Sequence, residues 1–181
     1  VLLPHSMSGL EAMHWSASYP KEVEAIIGLD MSLPQAYDKY RSNRLLYKTL
    51  QLAANLGLSR WLYSPDKEIR SLSNGSLNPK EKSIYKALFY RCPLSNAVIK
   101  EAEEVKSNAK LVKQDKVPAI PYLIFVSNGQ GTGFARKAWQ DMSKDYAKDH
   151  KNVQLKSFDV PHYIHSYIPD ELTKEIRKFL K

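Results

Sequence analysis

The chain has 181 residues, enough for one domain with a substantial core or for one domain with a subdomain. Its composition, 43% hydrophobic and 25% charged, excludes a disordered chain, and no apolar run reaches the ~18 residues that a membrane span needs. Acids alternate with lysines, as over 100–106, so the net charge of +8 indicates a solvated surface and not nucleic-acid binding; association with an anionic lipid surface stays open.

The first elements predict a parallel β-α-β unit. Residues 1–3 form a short apolar strand, and residues 8–19 follow as a helix with Leu10, Met13 and Ala17 on one face. Pro20 ends this helix, and residues 24–29 form a second apolar strand that stops at Asp30. A strand, a sharp turn, a helix and another strand in this order are typical of parallel pairing.

A helical segment follows over 34–117. Leu45, Thr49, Leu52 and Leu56 mark one helical face. Asn78, Pro79 and Glu81 begin another helix, in which Ile84 and Leu88 are expected on the buried side. A third helix carries an apolar stripe: Val98, Ala102, Val105, Ala109 and Val112. The single cysteine, Cys92, precludes an internal disulfide, and its place before Pro93 favours a structural role.

Strands return at 121–126 and 153–158, and a last helix spans about 170–180 with Leu172, Ile176 and Leu180 as its buried face. The fold class is therefore α/β, with a parallel sheet interrupted by a helical insertion far longer than an ordinary loop. We expect residues 1–33 and 118–181 to form the core. Residues 34–117 are expected to form a cap or lid.

Ser6 lies between the first strand and the first helix, in the run Pro4-His5-Ser6-Met7-Ser8-Gly9. The run resembles the G-H-S-M-G-G nucleophile elbow of the α/β-hydrolases, although Pro4 and Ser8 replace two of its glycines. This resemblance covers the whole chain, most strongly 1–34 and 118–181, and implies a serine nucleophile at Ser6. The family's first strands precede the nucleophile, so we expect the N-terminal third of the fold to be absent from this sequence.

The general base is expected between the last strand and the last helix, where the chain reads Asp159-Val160-Pro161-His162-Tyr163-Ile164-His165. This stretch is similar to the G-H-x-x-H stretch of many α/β-hydrolases, whose first histidine is catalytic. The resemblance therefore implies His162 as the base, with His165 as the competitor. His5 is expected to point away from Ser6 and to pack against backbone, and His14 and His150 are expected at the surface.

The acid is expected at Asp30. Family members most often place it in the loop after the strand that corresponds to 121–126, but that loop contains no Asp or Glu here, and Gln130 stands near the expected position. Some lipases and dehalogenases place it after the strand that follows the nucleophile helix, and Gly28-Leu29-Asp30 resembles the G-L-D motif of such lipases. Asp159 is the reserve candidate. The resemblance also assigns the Met7 N–H to the oxyanion hole.

The sequence thus predicts a serine hydrolase that cleaves an ester or related acyl bond, with a small, apolar acyl substrate and no cofactor. Tyr and Trp residues of the insertion, namely Tyr37, Tyr40, Tyr47, Trp61 and Tyr63, either line an acyl pocket or pack the cap. Two alternatives stay open: a peptidase of the same fold, and a non-catalytic binding protein of this fold. The sequence contains no metal-binding motif of the H-E-x-x-H or clustered Cys/His type.

Overall fold

A computed structural model describes residues 1–62, 64–91 and 95–181. Tyr63, Cys92 and Pro93, for which the sequence gave expectations, lie outside the described residues. The chain divides into two compact units, one formed by Val1–Tyr40 with Lys106–Lys181 and the other by Arg41–Val105. This division does not test the role of residues 34–117 as a cap, which stays a prediction.

The first unit holds three strands, β1 (Ile26–Leu29), β2 (Tyr122–Val126) and β3 (Val153–Ser157), all parallel and in the order β1-β2-β3. The sequence therefore predicted the parallel sheet and these strands to within two residues at each end. The helices of this unit are α1 (Ser8–Ser18), a 3₁₀ turn (Pro34–Tyr37), α8 (Arg136–Asp149), a second 3₁₀ turn (Ile164–Ser166) and α9 (Pro169–Phe179).

Residues 1–5 do not form the full strand that the sequence predicts. They make isolated parallel bridges to β1, at Leu2 with Ile26 and at His5 with Leu29. The Leu29 N–H donates to the Pro4 carbonyl at 2.8 Å, but Pro4 has no N–H to return the next bond of the ladder. The segment still runs beside β1 in parallel, so Ser6 emerges at the carboxyl edge of the sheet.

The core of the first unit lies on the central strand. Every residue of β1 and β2 is buried, whereas β3 is partly exposed, because β2 is paired on both sides and β3 on one. From α9, Leu172 is buried as predicted, but Leu180 is 51% exposed. One buried cluster joins the strands to the C-terminal region: Ile27, Leu29, Leu123, Phe125, Ile164 and Leu172.

The second unit is helical. Its elements are α2 (Arg44–Asn55), α3 (Ser59–Leu62), α4 (Pro65–Glu68), α5 (Arg70–Ser73), α6 (Pro79–Arg91) and the start of α7 (Asn96–Gln114). Asn78 begins α6 as predicted: its Oδ1 accepts from the Glu81 N–H at 3.0 Å, and Glu81 accepts from the Asn78 N–H at 2.8 Å.

The burial predicted for Ile84 and Leu88 is wrong, since they are 51% and 54% exposed. Apolar periodicity marks a helix face but does not supply the partner that would cover it. The stripe on α7 is buried at Val105, Ala109 and Val112, while Val98 is 42% exposed.

Candidate active site

Ser6 sits in a strained turn between the Val1–His5 segment and α1. Its φ is 55°, in the left-handed region that disfavours side chains other than those of Gly and Asn. The turn is pressed against the loop after β1: the Ser32 N–H donates to the Ser6 carbonyl at 2.8 Å. A Cβ on Gly9 would lie 2.6 Å from the Ser32 carbonyl oxygen, so this position has no room for a side chain. The close packing explains why a small residue is needed here.

The start of α1 leaves one backbone donor free. The N–H groups of Ser8, Gly9 and Leu10 donate to carbonyls three residues earlier, at 3.0–3.3 Å. Among the described residues, the Met7 N–H has no hydrogen-bond acceptor. A helix N-terminus carries partial positive charge, so this free N–H is suited to hold a developing anion.

His162 lies after β3, just before the second 3₁₀ turn, and is 6% exposed. Its Nε2 is 2.9 Å from Ser6 Oγ, and its Nδ1 is 2.5 Å from Asp30 Oδ2. An ionised carboxylate only accepts hydrogen bonds, so Nδ1 carries the proton and Nε2 is left to accept from the Ser6 hydroxyl. The structure thus brings Ser6, His162 and Asp30 into one hydrogen-bonded chain.

Asp30 ends β1 and is 1% exposed, with a left-handed φ of 51°. Its Oδ1 accepts from the Ser127 N–H at 2.6 Å and from the Trp139 indole N–H at 2.8 Å, which leaves Oδ2 for His162. Among the described non-glycine residues, only Ser6 and Asp30 have positive φ. Backbone strain therefore coincides with the two side chains that His162 bridges.

The loop after β2, which has no carboxylate, still shapes the site. The Gln130 carbonyl accepts from the His162 N–H at 2.9 Å, and a Cβ on Gly131 would lie 3.5 Å from His162 Cβ. The Gln130 backbone therefore supports the base from the place where the family most often has its acid. Sequence reasoning did not find the contributions of Ser127 and Trp139, since neither lies in a recognisable motif.

Three rings surround His162 on its backbone side. The His5 ring lies 4.6 Å from the His162 ring and 5.0 Å from each of Tyr163 and His165. His5 Nε2 is 3.2 Å from the His162 carbonyl, which can only accept, so His5 donates this bond. Burial lowers the pKa of His5 and of His165 below the ordinary value of 6.5, and the nearby His162 lowers both further.

The free energy of unfolding is expected to fall as the pH drops below about 6.5. His5 and His165 bind protons more readily in the unfolded chain than in the folded one, so acid favours unfolding. The neighbouring groups that also titrate or carry charge are His162, Tyr163 and Asp30. Urea unfolding at about pH 7.5 and about pH 5.5 should show the loss, and His5→Gln, which keeps an amide donor, should reduce it. An equal loss in His5→Gln and His165→Gln would contradict this account.

The remaining candidates lie away from the triad. Asp159, the reserve acid, is exposed and pairs with Arg136 and Asn128; these contacts, that of Asn128 most, lower the pKa of its carboxyl. His14 is exposed as predicted and contacts Asp115, whereas His150 is partly buried and stacks on Tyr146 at 4.3 Å. Over the described part of the chain, no cluster of three His, Cys, Asp or Glu side chains could hold a metal ion. None of the described helices is both long and apolar enough to cross a membrane.

No family model matches the chain. Over 191 aligned residues it is 29% identical to the uncharacterised protein YbdG of Bacillus subtilis strain 168. The match covers all of the chain and 58% of YbdG, so the chain spans little more than half the length of this curated relative.

Solved structures of hydrolytic enzymes share the architecture. The Cfl2 protein of Burkholderia cenocepacia matches 99% of the chain and 65% of its own, at a TM-score of 0.64 and 16% identity. The epoxide hydrolase of Bacillus megaterium gives 99%, 68%, 0.60 and 12% for the same quantities. A probable hydrolytic enzyme of Pseudomonas aeruginosa PAO1 gives 99%, 62%, 0.57 and 19%. These likenesses agree with the parallel sheet and its serine elbow, and the chain therefore has the α/β-hydrolase fold.

Proposed function

We propose that the protein is a serine hydrolase that cleaves an ester or related acyl bond through an acyl-enzyme. The observation that carries the proposal is the continuous hydrogen-bonded chain from Ser6 Oγ through His162 to Asp30, with distances of 2.9 and 2.5 Å. A nucleophile, a base and a group that orients the base are the three parts that acyl transfer by a serine requires.

In the proposed reaction Ser6 Oγ attacks the acyl carbonyl carbon while its proton passes to His162 Nε2. Asp30 holds the Nδ1 proton and stabilises the imidazolium that forms. The Met7 N–H donates to the oxyanion of the tetrahedral intermediate. His162 then gives the proton to the leaving group, and water, activated by the same histidine, hydrolyses the acyl-enzyme. These steps need no cofactor.

The residue at the elbow favours acyl transfer over epoxide opening. Ring opening through a covalent alkyl ester needs a carboxylate nucleophile, and a serine cannot form that ester. The carboxylate of this site, Asp30, contacts Nδ1 of His162 and not the elbow. Among the neighbouring structures, Est816, 17% identical at a TM-score of 0.56, is described as degrading N-acyl homoserine lactones, which are cyclic esters.

The proposed substrate carries an apolar acyl group. This part of the proposal rests on the aromatic side chains of the insertion, among them Tyr37, Tyr40, Tyr47 and the 92% exposed Trp61. A series of p-nitrophenyl esters of increasing chain length, set against aminoacyl p-nitroanilides, separates an esterase from a peptidase. Longer acyl chains should raise kcat/KM. Preference for the anilides would instead favour the peptidase alternative.

A fluorophosphonate probe is expected to label the purified protein at Ser6, since the probe reacts with a serine whose proton a neighbouring base can take. Ser6→Ala should abolish labelling and ester hydrolysis. Ser18→Ala, which removes an exposed serine at the far end of α1, should leave both unchanged. Peptide mass spectrometry identifies the labelled residue. An unlabelled Ser6 in folded protein would sink the enzyme proposal and favour a non-catalytic binding protein.

A further inference from the structure

Trp139 contacts the acid of the proposed triad from the side opposite the histidine. It lies in the first turn of α8, is 4% exposed, and its Nε1 is 2.8 Å from Asp30 Oδ1. Its ring meets that of His162 edge-on, at 90° with centroids 5.9 Å apart. One buried indole thus touches both the acid and the base.

The two oxygens of Asp30 have separate partners. Oδ2 faces His162, while Oδ1 accepts from the Ser127 N–H and from Trp139. The last torsion of an aspartate is broad, so a carboxylate held at one oxygen by a single donor keeps freedom to rotate. Two donors from different directions on Oδ1 fix the carboxylate plane, and with it the direction in which Oδ2 points.

The position of the indole is itself fixed by the loop after β2. Gly129 has a φ of 84°, and a Cβ there would lie 3.3 Å from both Trp139 Cβ and Arg136 Cα. The start of α8 therefore packs closely on this loop. Phe134 adds a ring 5.6 Å from that of Trp139. The indole N–H is consequently presented to Asp30 by a well-packed frame.

We propose that Trp139 is a positioning residue: its indole N–H, together with the Ser127 N–H, orients the Asp30 carboxylate so that His162 keeps the tautomer that can accept the Ser6 proton. This inference rests on the proposed hydrolase function. Trp139 touches neither the nucleophile nor, in the proposed reaction, the acyl group, so its loss should act on turnover and not on substrate binding.

The kinetic test compares two variants that keep a ring but lose the donor: Trp139→Phe, and replacement of Trp139 by benzothienylalanine, a near-isostere with sulfur in place of N–H. A hydrogen bond to a charged group of this kind corresponds to a fall in kcat of roughly 10- to 100-fold, with KM little changed. Tyr146→Phe, which removes a buried hydroxyl from the same helix, is the matched control and should keep its kcat.

A spectroscopic test needs no activity. The chain has three tryptophans and so three indole N–H resonances: Trp61 is 92% exposed, Trp15 is 50% exposed, and Trp139 is buried. The resonance lost in Trp139→Phe should exchange slowly with solvent. It should shift and lose protection in Asp30→Gly, which removes the acceptor at a φ that suits glycine, and should stay in place in Ser6→Ala.

The outcomes are distinguishable. Wild-type kcat in both Trp139 variants, with Ser6 still labelled by the probe, would overturn the positioning role and leave the hydrolase proposal standing. An indole N–H that exchanges as fast as that of Trp61 would overturn it on structural grounds. If the indole bond is present but Ser6 is not labelled, the proposed function fails, and the positioning role fails with it. A fall in kcat in both variants, with a protected indole, supports the inference.

Discussion

Replacing Asp30 by Asn is expected to lower kcat/KM by roughly 10³- to 10⁴-fold while the protein stays folded. The Ser127 and Trp139 N–H groups both donate to Oδ1, so the amide oxygen of Asn must take that place. The amide NH₂ then faces His162 Nδ1, which becomes an acceptor. The proton moves to Nε2, and the histidine can no longer take the proton of Ser6. Asn tolerates the left-handed φ of 51°, so the backbone need not change.

Asp159→Asn is the matched control for this substitution. Asp159 is the other carboxylate considered for the role, but it is exposed and paired with Arg136. We expect this variant to retain wild-type kcat/KM on the preferred ester. Circular dichroism and thermal unfolding would establish that both variants are folded. Near-normal activity of Asp30→Asn would return the acid role to some other carboxylate.

Ser6→Gly and Ser6→Ala are both expected to be inactive, yet the Gly variant should be the more stable of the two by about 1–2 kcal/mol. Both lose the same hydroxyl and its contact with His162, so their difference isolates the backbone. At a φ of 55° a Cβ is unfavourable, and Gly adopts this conformation without that cost. Denaturant unfolding of the two variants measures the difference directly.

The control for the sign of this effect is a pair at Glu11, an exposed position of α1. There Glu11→Ala should be more stable than Glu11→Gly by about 1 kcal/mol, because glycine disfavours a helix. Opposite signs at positions 6 and 11 would show that the nucleophile turn stores strain. The same sign at both would mean that Ser6 is held without strain.

The sequence predicted the frame of the site because its signals are local. The apolar runs at 24–29 and 121–126 predict buried parallel strands, and both are fully buried in the sheet. Ser6 and Asp30 each follow an apolar segment directly, so parallel pairing brings them to the same edge. His162 could be placed there through the family resemblance, and its contacts with Ser6 and Asp30 are present in the structure.

What the sequence did not predict depends on contacts between distant segments. The Ser127 N–H that Asp30 accepts is a backbone group, which no side-chain pattern can mark. Trp139 reads as an ordinary buried aromatic of a helix, because nothing in its neighbourhood along the chain indicates that its N–H faces a carboxylate. Burial of Ile84 and Leu88 was wrong for a related reason, since periodicity does not report what lies opposite a helix face.

The long separation along the chain of the triad residues has a kinetic consequence. His162 is separated from Asp30 by 132 positions and from Ser6 by 156, and the Arg41–Val105 unit lies within both intervals. Contacts of such high sequence separation form late in folding, so fluorophosphonate labelling of Ser6 would report the last step of refolding. Closing a loop twice as long costs only about 0.6 kcal/mol more. Insertions and deletions in the helical unit can therefore change its length widely while the triad geometry remains thermodynamically accessible.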